Sequence, residues 1–94
     1  MIIYVVQAYD GDFKSDVLYT TNRKQLKEHF DMCVFDNNFD EDFDIVGYEI
    51  PKDILKKYDK SPDSIYTEWI INKDNIKDVN DSVVFYQTWK KVVG

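Results

Sequence analysis

The segment Ile2-Ile3-Tyr4-Val5-Val6-Gln7-Ala8-Tyr9 is almost continuously apolar, β-branched and aromatic. Such a run forms a strand. Because polar residues do not alternate through it, both faces of the strand are expected to be buried, which places it centrally in a sheet. With 94 residues in all, the chain is expected to form one domain, residues 1–94, around that strand. The apolar run at residues 2–6 is far too short to cross a bilayer. No basic segment precedes it and no small-residue cleavage site follows, which argues against a signal peptide.

The remaining elements follow from turn signals and periodicity. Asp10-Gly11-Asp12 is a turn, and residues 16–20 form a second, shorter strand. Asn22 and Gln25 have the spacing of a capping box, with Thr21 an alternative cap. Leu26, Phe30, Cys33 and Val34 then fall on one helical stripe, predicting a helix over residues 23–34. Residues 44–50 form a third strand with Val46, Tyr48 and Ile50 on one face, and residues 52–58 a short helix after Pro51. Ile65, Thr67, Trp69 and Ile71 alternate with Tyr66, Glu68 and Ile70, which predicts a fourth strand over residues 64–71. After a turn, or one helical turn, at residues 73–79, residues 82–88 make the fifth, with an extension to residue 93 as the alternative. The expected fold is α+β: a five-stranded, mainly antiparallel sheet packed on one main helix, in the order β-β-α-β-α-β-β.

Charge is segregated. Between Lys27 and Lys52 there is no lysine or arginine and there are eight carboxylates: Glu28, Asp31, Asp36, Asp40, Glu41, Asp42, Asp44 and Glu49. The chain has 18 acids and 12 bases, so the window carries −8 and the remainder +2. Phe30, Phe35, Phe39 and Phe43 are threaded through the acids. Asp and Asn favour turns over helix interiors. Residues 35–44 are therefore expected as a long ordered loop, with a continued helix as the alternative. A concentrated negative field with apolar anchors suits docking on a basic protein, and it equally describes a solvated acidic loop pinned to a core. In the docking reading, Asp36, Asp40, Glu41, Asp42 and Asp44 supply charge while Phe35 and Phe39 anchor. Direct nucleic-acid binding is disfavoured, because the acidic chain repels phosphate and its basic residues are scattered in pairs.

Catalytic patterns are missing. His29 is the sole histidine and lies off the apolar stripe, so no nucleophile-base pair or metal set can be assembled by spacing. Cys33 lies on the stripe as a small core residue, and a lone cysteine fits a reducing cytoplasm. Asp36, Asn38, Asp40 and Asp42 stand at alternate positions, like the first half of a calcium loop. Glu41 then stands where glycine is required and Gly47 where a bidentate glutamate is required. No enzyme activity, metal or cofactor is expected.

The opening residues, from Ile3-Tyr4-Val5-Val6-Gln7 through Asp10-Gly11-Asp12 to Leu18-Tyr19-Thr20-Thr21-Asn22-Arg23-Lys24, resemble those of small phage and prophage proteins. Those proteins begin with a Tyr-Val-Val strand, a polar turn, a second strand and a charged helix. The resemblance covers about the first third of the chain. It implies a β-β-α start and a mobile-element origin, and it carries no activity and no functional residues. The functional expectation is a phage-encoded, cytoplasmic inhibitor that blocks a basic, nucleic-acid-binding surface of a host protein such as a defence nuclease. An immunity protein for a basic toxin nuclease uses the same physics. A small-ligand domain with an aromatic pocket is a further alternative.

Overall fold

In the computed structural model, residues 1–10, 13–28 and 42–89 are described. Four strands form one antiparallel sheet in the order β2-β1-β3-β4: β1 (Ile2–Asp10), β2 (Phe13–Thr20), β3 (Asp42–Glu49) and β4 (Val83–Trp89). The β1 strand is inside the sheet, as its near-continuous apolarity suggests, with Val5 opposite Tyr19 on one side and Val46 on the other. Among the described residues the helices are α1 (residues 23–28), α2 (Lys52–Lys57), α3 (Pro62–Ile65), which runs into a π turn at Tyr66–Ile70, and α4 (Ile76–Asp81), which follows a 3-10 turn at Lys73–Asn75. None of them is long and apolar enough to cross a membrane.

The two faces of the sheet carry separate cores. Ile3 and Val5 of β1 join Val46, Tyr48, Ile50, Ile65, Trp69 and Val79 on one face. Tyr4, Val6 and Ala8 join Phe43, Ile45 and Leu26 on the other. Helical material therefore packs on both faces, where a single main helix on one face was expected. Leu26 of α1 serves one side, and α3, its π turn and α4 serve the other. Asn22 caps α1, its Oδ1 accepting from the Lys24 N–H at 2.9 Å, but the reciprocal bond of a capping box is replaced: the Asn22 N–H donates to the Thr20 hydroxyl at 3.0 Å, and that hydroxyl donates to Gln25 Oε1 at 2.6 Å. The later part of the expected helix, with His29, Phe30 and Cys33, lies outside the described residues.

The expected fourth strand is helical, and the sheet has four strands. Ser61-Pro62-Asp63 is a helix start: Ser61 caps the Ser64 N–H, Pro62 occupies the first turn and Asp63 adds negative charge there. Ile65 and Trp69 are then four residues apart on a helical face, 0% and 3% exposed. The alternating pattern had put Thr67 and Ile71 with Trp69, yet both are exposed. The π turn, closed by the Ile71 N–H to the Tyr66 carbonyl at 3.1 Å, widens the helix so that Ile65, Trp69 and Ile70 all reach the core.

Gly47 lets two aromatic rings meet across β3. It sits between Tyr4 and Phe85 in the register, and the two rings lie edge to face at 6.0 Å over it. A Cβ on Gly47 would stand 2.9 Å from the Phe85 Cβ and 3.2 Å from the Tyr4 ring. The Phe85 Cβ is fixed to the backbone and cannot swing away. Gly47→Ala is therefore expected to cost about 1–2 kcal/mol by overpacking, measured by urea unfolding; an unchanged midpoint would contradict this packing.

Candidate protein-docking surface

The acidic window leaves the described framework at α1 and rejoins it at β3. Leu26 seats the outgoing end and Phe43 the returning end, both in the same core cluster. Glu28 is exposed on α1. Phe35, Asp36, Phe39, Asp40 and Glu41 lie outside the described residues, and Asp42 opens β3 with its backbone opposite Tyr9. At the far end of β3, Glu49 lies 3.8 Å from the N-terminal ammonium.

Asp44 differs from the other acids of the window. It shares the inward face of β3 with Val46 and Tyr48 and is only 3% exposed. Its Oδ2 accepts hydrogen bonds from the hydroxyls of Tyr9 on β1 and, at 3.0 Å, Tyr86 on β4. Burial pushes its carboxyl upward in pKa, but the hydrogen bonds from Tyr9, Tyr86 and Thr88, with the Lys14 charge, outweigh burial and hold it below the usual carboxylate range. Tyr9 responds in the opposite sense. The hydrogen bond to Asp44, then burial and the Asp44 charge, push its phenol up to about 12. Asp44 is thus the centre of a three-strand polar clasp, and its charge is already engaged within the fold.

A second tyrosine-carboxylate group ties the helical layer to the β2 edge. Tyr66 of the π turn donates to Asp16, which also takes the Gln7 amide at 3.2 Å. The Tyr66 ring stacks on Tyr19 at 4.0 Å, and the Tyr19 hydroxyl donates to Asp63 at 2.9 Å. Burial, then the hydrogen bond to Asp16, raises the Tyr66 phenol. Nothing in the local sequence pairs Asp16 with Tyr66, 50 positions apart. Asp44 did leave a signal: it has the parity of Val46, Tyr48 and Ile50.

The described residues line two pockets that bear on small-ligand binding. One, of about 560 Å³, is lined by Lys52, Leu55, Lys56, Asp59 and Lys60. The other, of about 340 Å³, has Trp69 and Ile54 with Asp53, Asp78 and Asp81. Neither is lined by tyrosine. Among the described residues no group of three or more His, Cys, Asp or Glu side chains is placed to hold a metal ion. No protein-family model matches the chain, and no curated protein or solved structure matches it either.

Proposed function

We propose that this chain is a small acidic inhibitor, of phage origin, that docks on a basic nucleic-acid-binding surface of a host protein and keeps nucleic acid out. The observation that carries this reading is the segregation of charge: −8 with no lysine or arginine between Lys27 and Lys52, against +2 over the rest. Carboxylates at short spacing imitate the charge row of a phosphate backbone and steer a basic partner toward them. Packed residues, Leu26 and Phe43, flank the segment on both sides. In this reading Asp36, Asp40, Glu41 and Asp42 carry the docking charge, Phe35 and Phe39 anchor, and Asp44 holds the segment's return to the sheet.

The test uses the immobilised chain in bacterial lysate at low and moderate salt, beside the variant D36N/D40N/E41Q/D42N. A basic protein retained by wild type, released as salt rises and absent from the variant is the expected result. The variant should melt with wild type, because Asp44 is intact. Equal capture by both baits would reject the acidic segment as the docking element.

A further inference from the structure

The pocket formed by Lys52, Leu55, Lys56, Asp59 and Lys60 has an unusual charge arrangement. Lys52 and Lys56 stand four residues apart on one face of α2, where like charges repel. Lysine at the end of a helix complements the helix dipole, which accounts for Lys56. It does not account for Lys52, the first residue of α2, where a cation opposes the dipole. The chain then turns back through two left-handed residues, Asp59 (φ 52°) and Lys60 (φ 58°), and the Lys60 N–H bonds to the Leu55 carbonyl at 2.7 Å. That turn brings a third lysine to the rim beside the Leu55 side chain. No carboxylate of the described residues forms an ion pair with Lys52, Lys56 or Lys60; the ion pair found among the described residues is that of Glu49 with the N-terminus.

We infer that this pocket receives the segment Phe39-Asp40-Glu41-Asp42 of a second copy of the chain, with the phenylalanine over Leu55 and the three acids against the three lysines. The complementarity is chemical: an apolar side chain followed at once by three carboxylates meets an apolar floor at which three ammonium groups outnumber the one carboxylate, Asp59. The chain's own segment is poorly placed for the task. β3 runs from Asp42 to Glu49 before the pocket-bearing stretch begins, a span of roughly 25 Å at 3.3 Å per residue. Phe39 precedes Asp42 by three residues, a reach of about 10 Å. Two copies side by side in opposite directions each offer a segment to the other's pocket, which closes a two-fold dimer. This inference draws on the same acidic segment as the proposed function, so self-association and a host partner compete for it, but it needs no foreign partner and is tested without one.

The probe is a synthetic peptide of residues 34–43, titrated into the full chain at low salt and followed by amide chemical shifts. The companion measurement is sedimentation equilibrium of the chain alone. Shifts centred on residues 52–60 are expected, and they should vanish in the K52E/K56E/K60E variant, whose substitutions lie on the surface. A peptide with Phe39→Ala should bind about tenfold more weakly. The chain should show a concentration-dependent dimer that the same variant abolishes. An absence of shifts, or binding that survives charge reversal, overturns the inference. So does a chain that is monomeric at every concentration, which would leave the pocket to its own segment or empty.

Discussion

Trp69→Ala is expected to lower stability by about 3–5 kcal/mol, the usual range for emptying a buried tryptophan site. Trp69 is 3% exposed and joins the π turn to the sheet through the cluster containing Ile3, Val5, Val46 and Ile65. A domain of this length has a total stability on the order of 5–14 kcal/mol, so the variant keeps at best a reduced margin and a melting temperature lower by about 15 °C or more. The comparison with its neighbours is sharper than the single value. If residues 64–71 formed a strand, Trp69 and Ile71 would share a buried face. In the helical arrangement Ile65 and Trp69 share it, and Ile71 is 51% exposed. Ile65→Ala should therefore cost about 2–5 kcal/mol and Ile71→Ala well under about 1 kcal/mol. Denaturant unfolding of the three variants decides it. Ile65 is buried in either arrangement, so a loss at Ile71 as large as that at Ile65 would contradict the helical layer.

Asp44→Ala is expected to cost about 1.5–3 kcal/mol, the range for hydrogen bonds to a charged acceptor. The loss falls mainly on the Tyr9 bond, because Tyr86 is 61% exposed and can turn its hydroxyl to water. The pH dependence separates this contribution from general loosening. The Asp44 pKa is lowered in the fold, so its stabilisation is present above the unfolded carboxylate value, roughly pH 4, and is lost as pH falls through the folded value. The Tyr9 pKa is raised to about 12, so its stabilisation is present below the unfolded phenol value, roughly pH 10, and is lost between there and about 12. Wild type should thus show a plateau bounded on both sides. In Asp44→Ala the acid limb should flatten, and the alkaline loss should shrink to the part carried by burial of Tyr9, by Tyr66 and Tyr48, whose phenols burial raises, and by Tyr19, whose phenol the hydrogen bond to Asp63 raises. Parallel pH profiles for variant and wild type would contradict the clasp.

The parts of the fold legible in the sequence are those where one local signal acted alone. The near-continuous apolarity of residues 2–9 announced an interior strand, and the parity of Val46, Tyr48 and Ile50 announced the face they share. The stretch from Ser61 to Ile71 carried two signals at once. Its side chains fit a period of two as well as a helical spacing, and the cap at Ser61-Pro62-Asp63 decided between them. The second covered face of the sheet follows from that correction, because the helix made by residues 62–70 is the material that covers it. The candidate site was legible as a charge pattern along the chain. Asp44 belonged to that pattern in sequence and to the core by parity. The side chains that claim it, Tyr9 and Tyr86, come from two other strands, so only the folded register brings them together. Asp16 and Tyr66 are joined in the same nonlocal way.

The most direct test of the proposed function is competition. The basic protein retained by the immobilised chain is mixed with a fluorescent oligonucleotide that it binds, and the unlabelled chain is titrated in. Blocking of a nucleic-acid surface requires mutually exclusive binding: the oligonucleotide should be released as the chain is added, with the D36N/D40N/E41Q/D42N variant inert and Gly47→Ala as active as wild type wherever it is folded. A ternary complex, with oligonucleotide and chain bound together, would contradict it.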